Sequence, residues 1–239
     1  MRPDRRKNSE MEIIDRIPVS LDAAEISRHL HIRPEREGSP RPEELIGLAL
    51  PLINLRAIHD VSFVGNKDGE SVEVAGVVFR SRVLRTNLER AQKVFPYIMT
   101  IGPALEQKAA SIGDLLKQYY LEEIANFVLE QGASWLTEKL RSRWGFALLS
   151  NMSPGSLEDW PISEQRPLFS LFGDTEKAVG VRLTDHMLML PRKSISGILF
   201  PSEESFAACQ LCPREKCPSR RARYDEALAA EYKNRSLGQ

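Results

Sequence analysis

The clearest structural pattern lies in residues 94–143, which read VFPYIMTIGPALEQKAASIGDLLKQYYLEEIANFVLEQGASWLTEKLRSR. Residues 94–101 are rich in β-branched and aromatic side chains, which predicts a strand. Gly102 and Pro103 end this strand. Apolar residues then recur at spacings of three and four, which predicts helix through the rest of the region. Gly113 is predicted to divide that helical region into a short and a long helix.

The same reasoning predicts further strands and helices on both sides of this region. The Val- and Phe-rich residues 71–84 indicate one strand or a bent hairpin arm. Residues 179–183 and 187–190 indicate a hairpin around Thr184-Asp185-His186, with residues 195–200 as a third strand. Helices are predicted from near Ser20 or Asp22 to before Pro34, from Pro42 onward, and within residues 163–172 and 223–235. The predicted fold is therefore α+β, a twisted antiparallel sheet built largely after Ser71 with the long helix packed beside it.

Composition and charge exclude several classes of partner. Lys+Arg and Asp+Glu are equal at 33 each, so no global basic field would attract nucleic acid. The longest uncharged apolar run, Leu45 to Leu55, is interrupted by Pro51 and is far shorter than the ~18 residues of a membrane span. The N-terminus stays polar where a secretory signal would turn apolar. A cytoplasmic protein with no nucleic-acid or membrane partner is expected.

The chain is predicted to have three parts. Residues 1–20 carry many charges and little periodicity, which predicts a flexible N-terminal arm with a short apolar ending at Ile17-Pro18-Val19. Residues 21–205 are expected to form the α+β domain. Residues 206–239 are expected to form a cysteine-containing loop followed by an amphipathic C-terminal helix.

Three ordered motifs carry a resemblance to a known family. They are Ser153-Pro154-Gly155-Ser156-Leu157-Glu158-Asp159-Trp160-Pro161, then Gly180-Val181-Arg182-Leu183-Thr184-Asp185, then Pro191-Arg192-Lys193-Ser194-Ile195-Ser196-Gly197. Together they resemble the activation domain of cobalamin-dependent methionine synthase over roughly the second half of the chain. In that family the domain binds S-adenosylmethionine in a groove of an antiparallel sheet and docks on a cobalamin domain. The resemblance implies an accessory protein of a corrinoid-dependent methyltransferase, with cobalamin supplied by a corrinoid-binding partner.

The resemblance also implies a set of ligand-binding residues. The family loop usually reads Arg-Pro-Ala-Pro-Gly-Tyr or Arg-Phe-Ser-Pro-Gly-Tyr, whose arginine can pair with the ligand carboxylate. Here Asn151 and Ser156 stand at the arginine and tyrosine positions, which predicts weak or absent binding of S-adenosylmethionine. Glu130 could face the ligand's amino group, or be an ordinary solvated glutamate. The implied set is Glu130, Asn151, Ser153, Pro154, Gly155, Ser156, Lys193 and Ser194, where the last two are either an anion site or a surface turn.

The three cysteines of the chain form one motif, Cys209-x2-Cys212-x4-Cys217. Three soft ligands on a loop stiffened by prolines fit zinc or an iron-sulfur cluster, with a fourth position for a water, a partner or a remote residue such as His186. Reduced thiols without metal and a disulfide are the alternatives.

Two rival functions follow from these features. The cysteines could carry a metal centre in an electron-transfer protein, or the chain could be an interaction module that has lost its ligand. No Gly-rich phosphate loop, Ser-His-Asp order or histidine-based zinc protease motif is found in the sequence, so independent turnover has little support. Whether the chain is part of an enzyme, as a component of methionine synthase, stays open.

Overall fold

The computed structural model describes residues 11–32, 39–217 and 220–234. Ten strands are found in these residues. In chain order they are β1 (Glu12–Ile14), β2 (Arg56–His59), β3 (Ser62–Asp68), β4 (Ser71–Val74), β5 (Val77–Arg80), β6 (Lys93–Thr100), β7 (Leu149–Met152), β8 (Arg182–Leu183), β9 (Met189–Leu190) and β10 (Ser194–Pro201). Eight of them form one antiparallel sheet, and β8 and β9 form a separate two-stranded ribbon.

Strand β6 is the centre of the sheet. On one side it pairs with β2 along residues 97–100 and with β3 along residues 93–94, and it pairs with β10 on the other side. Strand β1 extends the sheet beyond β2, and β7 extends it beyond β10. Strands β4 and β5 extend it beyond β3. All of these pairs are antiparallel, as the sequence predicts.

Eight α-helices accompany the sheet in the described residues. They are α1 (Ala23–His29), α2 (Pro42–Ala49), α3 (Arg82–Asn87), α4 (Ala104–Ser111), α5 (Leu115–Trp144), α6 (Gln165–Ser170), α7 (Thr175–Val179) and α8 (Glu226–Asn234). The 30-residue helix α5 begins because the Asp114 carboxylate accepts from the backbone N–H groups of Leu116 and Lys117. It ends at Gly145, whose φ of +67° is a left-handed cap.

The two faces of the sheet pack against different helices. Tyr97, Met99 and Leu199 belong to the core that includes α5, whereas Ile98 and Ile198 point to the opposite face. This alternation is the period of two that a pleated strand imposes. Helix α5 lies close to the sheet at Gly132, where a Cβ atom would be 2.7 Å from the Met99 sulfur.

Most predicted elements are confirmed. The strand at residues 94–101 is β6, the break at Gly113 separates α4 from α5, and Asp22 caps α1 by accepting from the backbone N–H of Glu25 at 2.9 Å. Residues 71–84, predicted as one strand or a bent hairpin arm, contain the two paired strands β4 and β5, followed by the start of α3. Most of the predicted turn region between Arg33 and Pro42 lies outside the described residues.

Two predictions about strands were wrong in detail, and the predicted N-terminal arm contains a strand. The predicted arm, residues 1–20, includes β1, and the side chains of Ile14 and Ile17 are buried because β1 pairs with β2 against the core; residues 1–10 lie outside the described part. Val179 ends helix α7 and does not begin the hairpin. Strand β10 is not a third strand beside β8 and β9, because its partners are β6 and β7 in the main sheet. None of the described helices is long and apolar enough to span a membrane.

Candidate functional site

A cleft of about 500 Å³ lies between α5 and the adjoining face of the sheet. Three strands, one helix and the segment after the cysteine motif contribute to it. The lining residues are Tyr97 from β6, Asn151 from β7, Leu199 from β10, Arg221, and Glu130, Ala133, Ser134, Thr137 and Glu138 from α5.

Regular secondary structure brings these residues together. The α5 residues are spaced by three and four, so they lie along one face of the helix. In the sheet, Gly197 is opposite Tyr97 and Leu199 is opposite Asn151. Because alternate residues of a strand share a face, Gly197 lies on the same side of the sheet as Leu199.

Gly197 lets β7 approach the floor of the cleft. A Cβ atom at this position would be 2.6 Å from the Met152 backbone oxygen, 2.8 Å from Asn151 Oδ1 and 2.8 Å from Ser153 Oγ. Any larger residue would therefore push away β7, which carries Asn151, and Ser153, which follows it. The absence of a side chain here keeps both polar groups next to the floor of the cleft.

The walls of the cleft carry opposite charges. Arg221 Nη2 lies 3.3 Å from Glu130 Oε1, and both side chains are more than half exposed. Glu138 is held by Arg141 at 2.7 Å through each carboxylate oxygen and accepts from the Ser142 hydroxyl at 2.8 Å. Hydrogen bonds from Arg141 and then Ser142 lower the pKa of Glu138 to about 2, so this carboxylate is ionised at neutral pH.

The floor of the cleft is less charged than its walls. Burial raises the pKa of the Tyr97 hydroxyl, which keeps it protonated, while hydrogen bonding to Asn151 and Ser153 acts in the opposite direction. Asn151 Oδ1 is buried and has no hydrogen-bond partner among the residues that the structure describes. A buried acceptor of this kind is unfavourable unless a donor reaches it. A ligand with an N–H or O–H group could supply that donor.

The predicted loop residues form a tight turn beside the cleft. The backbone N–H and hydroxyl of Ser156 both donate to the Ser153 carbonyl, at 3.1 and 2.6 Å. Gly155 has a φ of +84°, and a Cβ there would lie 2.8 Å from the Ile162 side chain. Of the five predicted loop residues, only Asn151 is among those lining the cleft; Ser153 lies next to it, and Pro154, Gly155 and Ser156 shape the turn.

Lys193 and Ser194 tie β10 to its neighbours. Lys193 Nζ donates to Asn126 Oδ1 at 2.9 Å and to the Glu122 carbonyl at 3.2 Å, both on α5. The buried Ser194 hydroxyl donates to Thr100 Oγ1 at 2.9 Å. In the described structure both side chains hold the start of the strand and neither lines the cleft, and the anion site stays a prediction.

The cysteine segment, described at residues 206–217 and 220–225, begins beside the outer edge of β7. Ala207 bridges to Asn151, and the Phe206 N–H donates to Ser150 Oγ at 3.0 Å. The Arg220 guanidinium donates to the backbone oxygens of Cys209, Cys212 and Ala222 at 3.1–3.2 Å, and also to that of Arg214.

All three cysteines are free thiols of intermediate exposure, so the disulfide alternative is not formed in this structure. Among residues 11–32, 39–217 and 220–234 there is no group of three or more His, Cys, Asp or Glu side chains that could hold a metal ion. Cys209 Sγ instead accepts from the Arg221 N–H at 3.5 Å, and His186 is exposed on the β8–β9 turn. In this arrangement the cysteines do not fit the predicted zinc or iron-sulfur site, and the metal remains a prediction.

Sequence reasoning found Glu130 and Asn151 but missed the rest of the lining. Helical spacing from Glu130 would have identified Ser134, Thr137 and Glu138. No sequence pattern indicated Arg221, because it contacts Glu130 although the two residues are 91 positions apart in the sequence. The prediction of weak ligand binding considered the charge at Asn151 alone and did not include this arginine.

The fold and the cleft define an α+β domain that presents a groove between one long helix and an antiparallel sheet. Residues 85–217 match the family model described as vitamin B12 dependent methionine synthase, activation domain. The chain belongs to this family.

A solved structure supports the same assignment at the level of the fold. It is described as the crystal structure of the MetH reactivation domain bound to AdoHcy. The TM-score is 0.55 at 15% sequence identity, over 83% of this chain and 81% of that one. The likeness therefore extends well beyond the second half of the chain, where the sequence resemblance lies. A search of curated proteins gives no significant match.

Proposed function

We propose that this chain is an accessory protein that helps to return an inactive corrinoid to its methylated form by docking on the cobalamin-binding subunit of a methyltransferase. Membership of the activation-domain family, combined with an open charged cleft at the α5–sheet junction, carries the proposal. Cobalamin would be held by the partner and would supply the methyl-carrying chemistry. This chain would contribute the ligand cleft and the docking surface.

We propose S-adenosylmethionine as the ligand of the cleft. The similar solved domain is described as bound to AdoHcy, the demethylated form of that molecule. The volume of about 500 Å³ falls within the usual range for small-molecule sites. The Glu130 and Glu138 carboxylates on α5 favour a ligand that carries positive charge.

The domain boundaries support a slightly different division from the sequence prediction. Because β1 is part of the sheet, we propose that the α+β domain begins by residue 12 and not at residue 21. The cysteine segment is bonded to β7, and Arg221 completes one wall of the cleft. We therefore propose that residues 206–225 work as part of the ligand site.

A reactivation assay tests the proposed function. The purified full chain is added to a cobalamin-binding methyltransferase subunit with a reductant and S-adenosylmethionine, and corrinoid absorbance reports the return to the methylated state. A cleft-filling variant, Ser134→Tyr, should slow this return at least about tenfold because the ligand loses its site. The matched control is Ser111→Tyr, the same change at an exposed position on α4. No acceleration by the unsubstituted chain would refute the proposal.

An iron-sulfur or zinc electron-transfer protein is the second candidate, favoured by three free thiols on one loop. Metal, sulfide and visible absorbance of anaerobically purified protein test it. If the candidate is right, Cys212→Ala removes one of three thiolates and should abolish both the metal content and any function that depends on it. A colourless, metal-free preparation would count against it.

A further inference from the structure

Arg221 occupies an unusual place for a residue that lines a ligand cleft. It comes from the cysteine segment, yet its guanidinium reaches Glu130 on α5 at 3.3 Å. The remaining lining residues come from α5 and from strands β6, β7 and β10. The cleft thus receives a positive charge from outside the sheet and helix.

The Glu130–Arg221 pair is open to a competing ligand. The Arg221 side chain is 62% exposed and that of Glu130 is 51% exposed, so water already solvates both. Exposed ion pairs contribute little to stability and open at small cost. A ligand that offers a carboxylate to Arg221 and an ammonium group to Glu130 would replace one ion pair with two.

The floor beside this pair suits the rest of such a ligand. Leu199 and the protonated Tyr97 offer apolar and aromatic surface, and Asn151 Oδ1 is a buried acceptor that needs a donor. Glu138, ionised and held by Arg141, adds a second negative charge along the same wall. The cleft therefore favours a ligand with a zwitterionic end and a larger remainder that has hydrogen-bond donors.

We propose that the cleft binds a ligand with an α-amino acid end, whose carboxylate pairs with Arg221 and whose ammonium group pairs with Glu130. This inference rests on the proposed function only in taking the cleft as the ligand site. It means that the charge missing at Asn151 is supplied from the cysteine segment, and that S-adenosylmethionine and AdoHcy bind in spite of the substituted loop.

Calorimetry on the purified full chain tests this assignment with two probes. AdoHcy carries the amino acid end, and 5′-methylthioadenosine lacks it. Arg221→Ala should weaken AdoHcy binding by about tenfold to a hundredfold, as expected for a charge-assisted hydrogen bond, and leave methylthioadenosine binding unchanged. Glu130→Gln should act in the same direction on AdoHcy alone. Arg223→Ala, an exposed neighbour in the same segment, is the matched control and should change neither affinity.

The possible outcomes separate the inference from the proposed function. Unchanged AdoHcy affinity in Arg221→Ala, equal weakening of both probes, or no AdoHcy binding by the unsubstituted chain would each overturn the inference. Selective loss of AdoHcy binding upholds it, even if the chain has no effect on corrinoid reactivation. In that last case only the proposed function would fail.

Discussion

The cleft and the cysteine segment are built by different means. Most of the cleft is formed by a 30-residue helix and three paired strands, whose positions are fixed by backbone hydrogen bonds. The described part of the cysteine segment has one short 3₁₀ turn, Ala208–Gln210, and is organised by the Arg220 side chain, which donates to four backbone oxygens. The geometry of the first region depends on the register of the sheet, and that of the second depends on one guanidinium.

This difference explains why the strength of a sequence pattern did not indicate where the ligand cleft lies. The cysteine motif is conspicuous in the sequence, but in the described structure the three thiols do not come together as a group of metal ligands. The cleft gives a faint signal in the sequence, because its lining consists of ordinary core and surface residues spread from Tyr97 to Arg221. The argument for a ligand site therefore rests on how elements pack, which spacing within one segment does not reveal.

The largest effect is expected at Gly197, where the cleft depends on close strand packing. Gly197→Val should destabilise the protein by about 1–3 kcal/mol or more, because its side chain would overlap the Met152 carbonyl and the Asn151 and Ser153 side chains. Urea unfolding measures the loss. The matched control is Gly47→Ala in α2, where nothing lies within 4 Å of the added Cβ and helix propensity predicts a gain of about 0.5–1 kcal/mol.

A smaller, local effect is expected at Arg220. Arg220→Ala removes the donor that four carbonyls of the cysteine segment share, so the segment should open more often while the global unfolding midpoint changes little. The rate of thiol labelling in the folded protein should rise about tenfold to a hundredfold, as expected for loss of charged hydrogen bonds. Arg223→Ala is the control and should label at the original rate.

A chelator turns the same labelling assay into a test of the metal hypothesis. If the segment is held by Arg220, dialysis against a metal chelator leaves the labelling rate of the unsubstituted protein unchanged. If chelation raises the rate as much as Arg220→Ala does, the thiols are protected by a metal and the described arrangement is not the metal-loaded one.

Local sequence patterns were enough to predict the elements that have a clear capping residue, a glycine break or a strong apolar pattern. Asp22 capped a helix, Gly113 separated two helices, and the apolar run of β6 gave the central strand. Strands β2 and β7 were missed because Arg56 to His59 and Leu149 to Met152 mix polar and apolar residues over only four positions. Such short strands exist because neighbouring strands pair with them, and this long-range cause leaves little local pattern.

The candidate site was predicted only where the family resemblance reached it. Asn151 and Glu130 were found in this way, whereas Lys193 and Ser194, for which the sequence left an anion site and a surface turn open, hold β10 to α5 and β6. Arg221 could not be assigned from sequence, because five arginines and lysines lie near the cysteines and nothing local distinguishes the one that faces Glu130. The packing of the segment along β7 makes that choice.

Acidification should lower the stability of the fold through groups at the contact of β1 and β2 with the last turns of α5. Glu12 on β1 accepts from Lys139 at 2.6 Å and from Arg143 at 2.7 Å, and lies 3.5 Å from the fully buried His59. Burial is the main cause of the lowered pKa of His59; Lys139 and Arg143 also lower it, and Glu12 acts against them. Hydrogen bonding to Lys139 is the main cause of the lowered pKa of Glu12.

The lowered pKa values of His59 and Glu12 both make the folded protein less stable at acidic pH. Below the ordinary pKa of 6.5 the unfolded chain protonates His59 more readily than the folded chain does, so stability falls as the pH drops. Glu12 adds a further loss as the pH falls through its ordinary value of 4.5. Thermal unfolding at pH 7.5 and pH 5.5 should show a lower midpoint at the acidic value, and His59→Gln should reduce that difference. An unchanged difference in the variant would exclude His59 as its source.

The smallest effect is expected where the two regions meet, at the contact between Cys209 Sγ and the Arg221 N–H. At 3.5 Å this is a weak hydrogen bond to sulfur, so Cys209→Ala should weaken AdoHcy binding only about twofold to fivefold, through a less well positioned Arg221. Cys217→Ala is the matched control, because the contact of Cys217 with Arg220 uses the backbone oxygen, which the substitution keeps. Calorimetry on both variants should show a difference between them. If both instead weaken binding equally and by more than about tenfold, the cysteines act as one unit, as thiolates that share a metal would. The metal would then stabilise the structure of the cysteine segment, and the proposed dependence of that segment on Arg220 would be wrong. The contrast between the cleft and the cysteine segment would be wrong as well.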